Sequence, residues 1–170
     1  IDVHAFDRLP ARDVVVESSN IGAAKIGLRL GPELLQGWLN RFELGSRTGI
    51  GSSAEVRAQI PSAERWRGRE GTAWTVPSVS FGYQVALTPL RLAASFAPLV
   101  NGGWSVEPRA VESVEDGARG PGTAERRRIL DPQVAMAVRQ ALVDVCQRGT
   151  AARIVPEGLT MGGKTGTAVR

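Results

Sequence analysis

The chain is short of lysine, cysteine, histidine and long apolar runs, and each shortage excludes something. Its 170 residues hold two lysines, Lys25 and Lys164, one cysteine, Cys146, and one histidine, His4. A single cysteine excludes an intramolecular disulfide, and one cysteine with one histidine leaves no basis for a Cys/His metal centre. No metal and no cofactor is expected. No apolar run approaches the ~18 residues that a membrane-crossing helix needs. The longest candidate, Val85 to Val100, is broken by Arg91. The opening residues lack the basic segment, apolar core and cleavage site of a secretory leader. Ile1 is not an initiator methionine, and Arg170 follows directly on a strand-like segment. Both ends are therefore expected to be cuts, with residues 1–170 forming one partial domain.

What remains is an ordinary globular composition, 42% hydrophobic and 22% charged, in a chain long enough for one domain with its own core. The net charge of +4 comes from nineteen arginines and two lysines set against seventeen acidic residues. A basic chain can bind nucleic acid. Here the arginines are scattered, and the densest runs, Arg65-Arg67-Arg69 and Arg126-Arg127-Arg128, have no interleaved aromatic stripe for stacking bases. No nucleic-acid partner is expected.

Helix signals punctuate the chain. Asp13 to Glu17 begins a helical or extended segment that leads into Ser18. Ser18-Ser19-Asn20 are capping residues, and the apolar spacing of Ile21, Ala24 and Leu28 predicts a helix to Leu30. Gly31 suits its end and Pro32 the first turn of a second helix, whose buried face is read as Leu34, Leu35, Trp38, Leu39 and Phe42. Residues 45–70 are rich in Gly, Ser, Arg and Pro and read as an irregular excursion. Thr88-Pro89 starts another helix, with Leu92, Ala93, Phe96, Leu99 and Val100 at core spacing and Asn101-Gly102-Gly103 as its stop. Pro98 is expected to kink its last turn. Residues 105–114 read as extended and 115–128 as a surface loop. Asp131-Pro132 opens a last helix with Val134, Val138, Ala141, Leu142 and Val145 on one face. Cys146 falls on that stripe as a small core residue, and Gly149 ends the helix. Residues 159–169 read as a strand.

That strand carries the most chemically informative residues, Lys164-Thr165-Gly166-Thr167. Lys164 supplies positive charge, the two threonines supply short donors, and Gly166 lets a substrate backbone lie close. Backbone N–H groups along it can face a developing oxyanion. Gly158 to Thr165 also satisfies the bare phosphate-loop pattern G-x-x-x-x-G-K-[ST]. The context argues against that reading: Gly166 follows at once, no helix opens at Lys-Thr, and Val155-Pro156-Glu157 is a poor buried strand. At the other end, Ser18 and Asn20 form an S-x-N triplet. A hydroxyl beside a lysine can relay a proton to a leaving amine, and the asparagine amide can hold a substrate carbonyl. Read alone, S-x-N is a helix cap.

K-T-G and S-x-N are two of the three signatures of penicillin-sensitive serine acyl-transferases. The third, S-x-x-K, is absent: the residues three before the two lysines are Gly22 and Met161. Around the motifs, residues 18–25, 82–93, 101–103 and 161–168 resemble the class B penicillin-binding proteins, as do Arg47-Thr48-Gly49-Ile50 and the opening Ile1-Asp2-Val3-His4. The likeness runs through nearly the whole chain in the family's order and is closer to the division-type transpeptidases than to the elongation type. Two features depart from the family: Gly51-Ser52-Ser53-Ala54-Glu55 replaces an acidic turn, and Pro98 is unexpected.

The resemblance implies an α+β fold, the penicillin-binding/serine β-lactamase-like transpeptidase fold. Residues 1–170 would supply much of the helical part and the K-T-G edge strand of an antiparallel sheet. It implies a peptidoglycan D,D-transpeptidase that cross-links stem peptides through a serine acyl-enzyme and binds penicillin in septal wall synthesis. This chain would be inactive by itself for want of the nucleophile. Ser18 would relay a proton, Asn20 would contact the substrate amide, and Lys164 would supply charge. Thr165, Gly166 and Thr167 would bind substrate, Thr167 also offering an oxyanion donor. His4 would have a structural role. The implied partners are stem peptides, β-lactams as inhibitors, and division membrane proteins including a SEDS-family glycosyltransferase. The implied place is the extracytoplasmic face of the bacterial cytoplasmic membrane, with an anchoring helix outside these residues. The alternatives are a non-catalytic or β-lactam-sensing domain, or a carboxypeptidase or β-lactamase relative.

Overall fold

The computed structural model describes residues 2, 6–111 and 126–166. His4, Thr167 and most of the 115–128 loop lie outside them. Helix α1 is Ala11–Val16, and it buries Val14 and Val16 while Asp13 sits in its first turn, where a carboxylate complements the positive helix end. Helix α2, Asn20–Arg41, follows after a three-residue turn. The expected break is there: Gly31 has φ 79° and ψ 166° and Pro32 follows, so the run bends as two helices joined end to end.

Residues 43–62 are irregular, as the sequence indicates. They lead into a 3₁₀ turn at Ala63–Trp66, α3 at Gly68–Glu70, a π turn at Gly71–Thr75 and α4 at Val76–Ser80. Helix α4 packs on α2 at Gly27, where an added Cβ would stand 1.7 Å from Ser80 Oγ. Only glycine permits that approach. Around it Trp66, Val76 and Val79 form a buried cluster with Leu35, Leu39 and Val85, and the Trp66 indole N–H donates to the Pro61 carbonyl at 3.0 Å. Fully burying such side chains contributes about 1.5–3 kcal/mol each.

Helix α5, Pro89–Val100, and helix α6, Pro132–Arg148, begin as the cap-then-proline pairs predict. Thr88 accepts from the Arg91 N–H at 3.1 Å and Asp131 from the Gln133 N–H at 2.8 Å. Pro98 lies inside α5 and is fully buried. Arg91 is buried too. Its guanidinium donates to the carbonyls of Ser46 and Arg47 and to Glu43, which ties α5 to the end of α2. A second cluster joins Ile129, Leu130 and Ala135 to Phe42 and Leu99.

Two expectations need correction. The stripe read as core in α5 is mostly open: Leu92, Ala93, Phe96 and Val100 are exposed and Leu99 is half-buried, and Leu34 and Trp38 of α2 and Val134 and Val138 of α6 are exposed too. Periodicity reports that a face is apolar, not that a partner covers it. Second, residues 159–166 form no ladder, so the expected strand is not seen there. Among the described residues the only β pairings are isolated bridges, Gln59 with Ala86 and Trp104 with Arg128. A strand requires a paired neighbour, and no described segment supplies one to 159–166. No helix among the described residues is long and apolar enough to cross a membrane.

Candidate active site

The turn between α1 and α2 answers the question left by S-x-N. The cap is Ser19, the middle residue: its hydroxyl accepts from the Gly22 N–H at 2.9 Å. Asp2 reinforces it, accepting from Ser19 Oγ at 2.5 Å and from the Ile21 N–H at 3.1 Å. The Ser19 hydrogen bond is also the main reason that the Asp2 carboxyl titrates below its ordinary value. Ser18 is thereby free of capping duty. It sits at φ 56°, in the left-handed region that costs a non-glycine residue about 1–2 kcal/mol. Its N–H donates to Val15 and that of Ser19 to Val14, closing the end of α1. Strain of this kind is common where a side chain must be aimed.

That side chain meets Lys164. The ammonium donates to Ser18 Oγ at 2.6 Å, joining residues 146 apart in sequence. It also reaches the Thr165 carbonyl at 3.2 Å and Thr165 Oγ1 at 3.4 Å. Lys164 is exposed as a residue, yet the partial enclosure of its ammonium pushes its pKa below the ordinary lysine value. The two residues open on a cleft of about 990 Å³, lined also by Asn20, Tyr83, Thr150 and Gly166. Ser18, Asn20, Lys164, Thr165 and Gly166, chosen from sequence, therefore share one cavity.

Helix α6 brings the two sides together. A cluster of Val145, Cys146 and Ala151 packs with Val15 and Val155 beneath the cleft, so Cys146 is the core residue expected. At Gly149 an added Cβ would come within 2.5 Å of the Val16 carbonyl oxygen, so α6 ends in direct contact with α1. Four charges tie the same junction. Arg148 binds Asp13 at 2.5 Å and Asp144 at 2.9 Å, and Arg12 binds Asp144 at 2.6 Å. The Arg12 and then the Arg148 guanidinium hold the Asp144 carboxyl below the usual carboxylate range. The K-T-G segment also rests on α6, its Gly163 N–H donating to the Leu142 carbonyl at 3.1 Å.

Two contributors were not picked out from sequence. Thr150 shares a 2.8 Å hydrogen bond with Thr165 through their hydroxyls. The Arg12–Asp13–Asp144–Arg148 group had one visible signal, the i,i+4 spacing of Asp144 and Arg148. Its partners on α1 lie over a hundred residues away. Among the described residues no group of three or more His, Cys, Asp or Glu side chains could hold a metal ion.

A lysine feeding a serine hydroxyl in an open cleft, with a threonine hydroxyl beside it, matches the resemblance read from the motifs. The chain belongs to the family described as the penicillin binding protein transpeptidase domain, whose model matches residues 4–170. It is 33% identical to the penicillin-binding protein PbpB of Mycobacterium tuberculosis over 165 residues, which cover 89% of this chain and 23% of that protein. It is 29% identical to the probable peptidoglycan D,D-transpeptidase PenA of Neisseria gonorrhoeae, over 98% of this chain and 27% of that one. The crystal structure of penicillin binding protein 3 from Mycobacterium tuberculosis complexed with aztreonam superposes with a TM-score of 0.73 at 29% identity, over 95% of this chain and 35% of that one. A Burkholderia ambifaria peptidoglycan glycosyltransferase has the same fold, with a TM-score of 0.82 over 98% of this chain and 50% of that one, at 24% identity. The α+β transpeptidase fold expected from sequence is therefore borne out. The chain spans about a quarter of the length of the curated relatives it matches.

Proposed function

We propose that the chain is part of a peptidoglycan D,D-transpeptidase of septal wall synthesis, with a nucleophilic serine supplied from outside residues 1–170. The observation that carries this reading is the 2.6 Å hydrogen bond from Lys164 Nζ to Ser18 Oγ. An ammonium has only donors, so Ser18 accepts here and its own proton is free to point into the cleft.

The reaction follows from that polarity. The serine oxygen attacks the penultimate D-alanine carbonyl of a stem peptide and forms an ester. The amide C–N bond breaks, the leaving D-alanine amine takes up the Ser18 proton, Lys164 replaces it, and the proton released by the attacking serine recharges Lys164. An amine of a second stem peptide then attacks the ester, making the cross-link amide and returning a proton to the serine. The lowered Lys164 pKa suits a group that passes protons at lower pH than a free lysine. Asn20 holds the substrate amide, Thr165 and Thr167 bind the terminal carboxylate, and Gly166 leaves room for the peptide backbone. Penicillin presents the same carbonyl and carboxylate and is the inhibitor. The residues form one partial domain of an enzyme held at the extracytoplasmic face of the membrane, working beside division proteins including a SEDS-family glycosyltransferase. A second reading, a non-catalytic penicillin-binding-like domain without the nucleophile, draws on one observation: residues 1–170 contain no Ser-x-x-Lys.

Intact-mass measurement of the full-length protein after incubation with penicillin tests the first reading. A penicilloyl adduct is expected on the wild type. Lys164→Ala should slow its formation by about 10²–10³-fold, as loss of one transition-state donor does. No adduct on the wild type would favour the second reading.

A further inference from the structure

The Thr150 hydroxyl has no place in the mechanism above, yet it makes the only described side-chain hydrogen bond to Thr165 from outside the K-T-G segment. We propose that Thr150 is a positioning residue that sets which way the Thr165 hydroxyl points and so prepares it for the ligand carboxylate. The inference rests on the transpeptidase reading of Lys164 and Thr165.

The hydrogen-bond directions lead to it. A hydroxyl has one proton and two acceptor sites. Lys164 Nζ lies 3.4 Å from Thr165 Oγ1 and can only donate. The Thr165 proton therefore has one described acceptor besides solvent, Thr150 Oγ1 at 2.8 Å. When a carboxylate arrives, Thr165 must donate to it. The 2.8 Å contact survives if Thr150 reverses and becomes the donor. Thr165 Oγ1 then accepts from Lys164 and Thr150 while donating to the carboxylate, with its full complement of bonds. No covalent bond changes; two hydroxyl rotors turn.

Thr150 is placed to do this without being a structural pillar. It follows Gly149 at the end of α6, and its backbone N–H reaches the Val16 carbonyl at 3.4 Å. One residue thus touches the end of α1, two residues before Ser18, through its backbone and the K-T-G segment through its side chain. The side chain is exposed, so exchanging its hydroxyl for a methyl leaves no buried void.

The test uses the full-length protein with Thr150→Val, Thr150→Ser and, as control, Lys164→Ala. Acylation rates are measured with ampicillin and with its methyl ester, which lacks the carboxylate charge. Thr150→Val should lose about five- to tenfold with ampicillin, the effect of one hydrogen bond, and show little loss with the ester. Thr150→Ser should restore the wild-type rate. Equal losses on both probes, no loss on either, or failure of serine to rescue would overturn the proposal. If Thr150→Val does not fold, Thr150→Ala is compared on the same two probes by the same criteria. Lys164→Ala separates the two levels. If it fails to impair acylation, the transpeptidase reading itself falls; if it impairs acylation and Thr150→Val does not, only the role of Thr150 falls.

Discussion

The two walls of the cleft are built from opposite kinds of backbone. On one wall, Ser18 is fixed by neighbours in sequence: the last carbonyls of α1, the Ser19 cap and a left-handed φ. On the other, Lys164 lies in a segment without a ladder. It is located by long-range contacts, the Leu142 carbonyl beneath Gly163 and the Thr150 hydroxyl beside Thr165. One wall is therefore shaped by local chemistry and the other borrows its shape from α6. Perturbing α6 should move Lys164 relative to a Ser18 that hardly changes.

The largest expected effect comes from breaking the joint between them. Gly149→Ala drives a Cβ toward the Val16 carbonyl. Contact at that range forces α1 and α6 apart, at a cost of about 3 kcal/mol, the upper part of the range for overpacking. Thermal unfolding of the full-length protein should show the loss, and acylation should fall with it. An unchanged melting temperature would mean that the joint does not carry the two walls.

A smaller effect should separate strain from function on the local wall. Ser18→Gly removes the hydroxyl and relieves the left-handed φ, so stability should rise by up to about 1 kcal/mol while acylation drops. A variant both less stable and inactive would argue that Ser18 serves the fold instead.

The smallest effect is in the ion-pair group. Asp144 is held ionised by Arg12 and Arg148, so its folded pKa lies below the unfolded one. Its contribution is full above the unfolded carboxylate pKa and is lost as pH falls through the folded value. Asp144→Asn should therefore lower the melting temperature by a constant amount at neutral and alkaline pH and approach the wild type as pH falls, which flattens the decline on the acid side. An acid limb as steep as that of the wild type would remove Asp144 from the account.

The same contrast explains how much the sequence disclosed. Thr88-Pro89, Asp131-Pro132, Gly31-Pro32 and Gly149 marked helix boundaries because caps and breaks are local chemistry. Ser18-Ser19-Asn20 was legible as a cap; that Ser19 alone would take that duty was not, because the choice depends on the φ of Ser18. Lys164, Thr165 and Gly166 were found by motif, whereas Thr150, with nothing distinctive around it, was found only when α6 brought it to Thr165. Helix α4, five residues with a proline in its first turn, gave too little periodicity to stand out. The exposed stripe of α5 was misread as core because amphipathicity says nothing of what lies opposite.

The central claim, that Ser18 and Lys164 act as one proton-passing unit, is tested most directly by a double-mutant cycle on penicillin acylation in the full-length protein. Residues acting as a unit are strongly non-additive. Ser18→Ala and Lys164→Ala should each slow acylation by about 10²–10³-fold, and the double variant should be little slower than the worse single one. A double variant slower by the product of the two single effects would contradict the account, since the 2.6 Å contact between them would then carry no shared function.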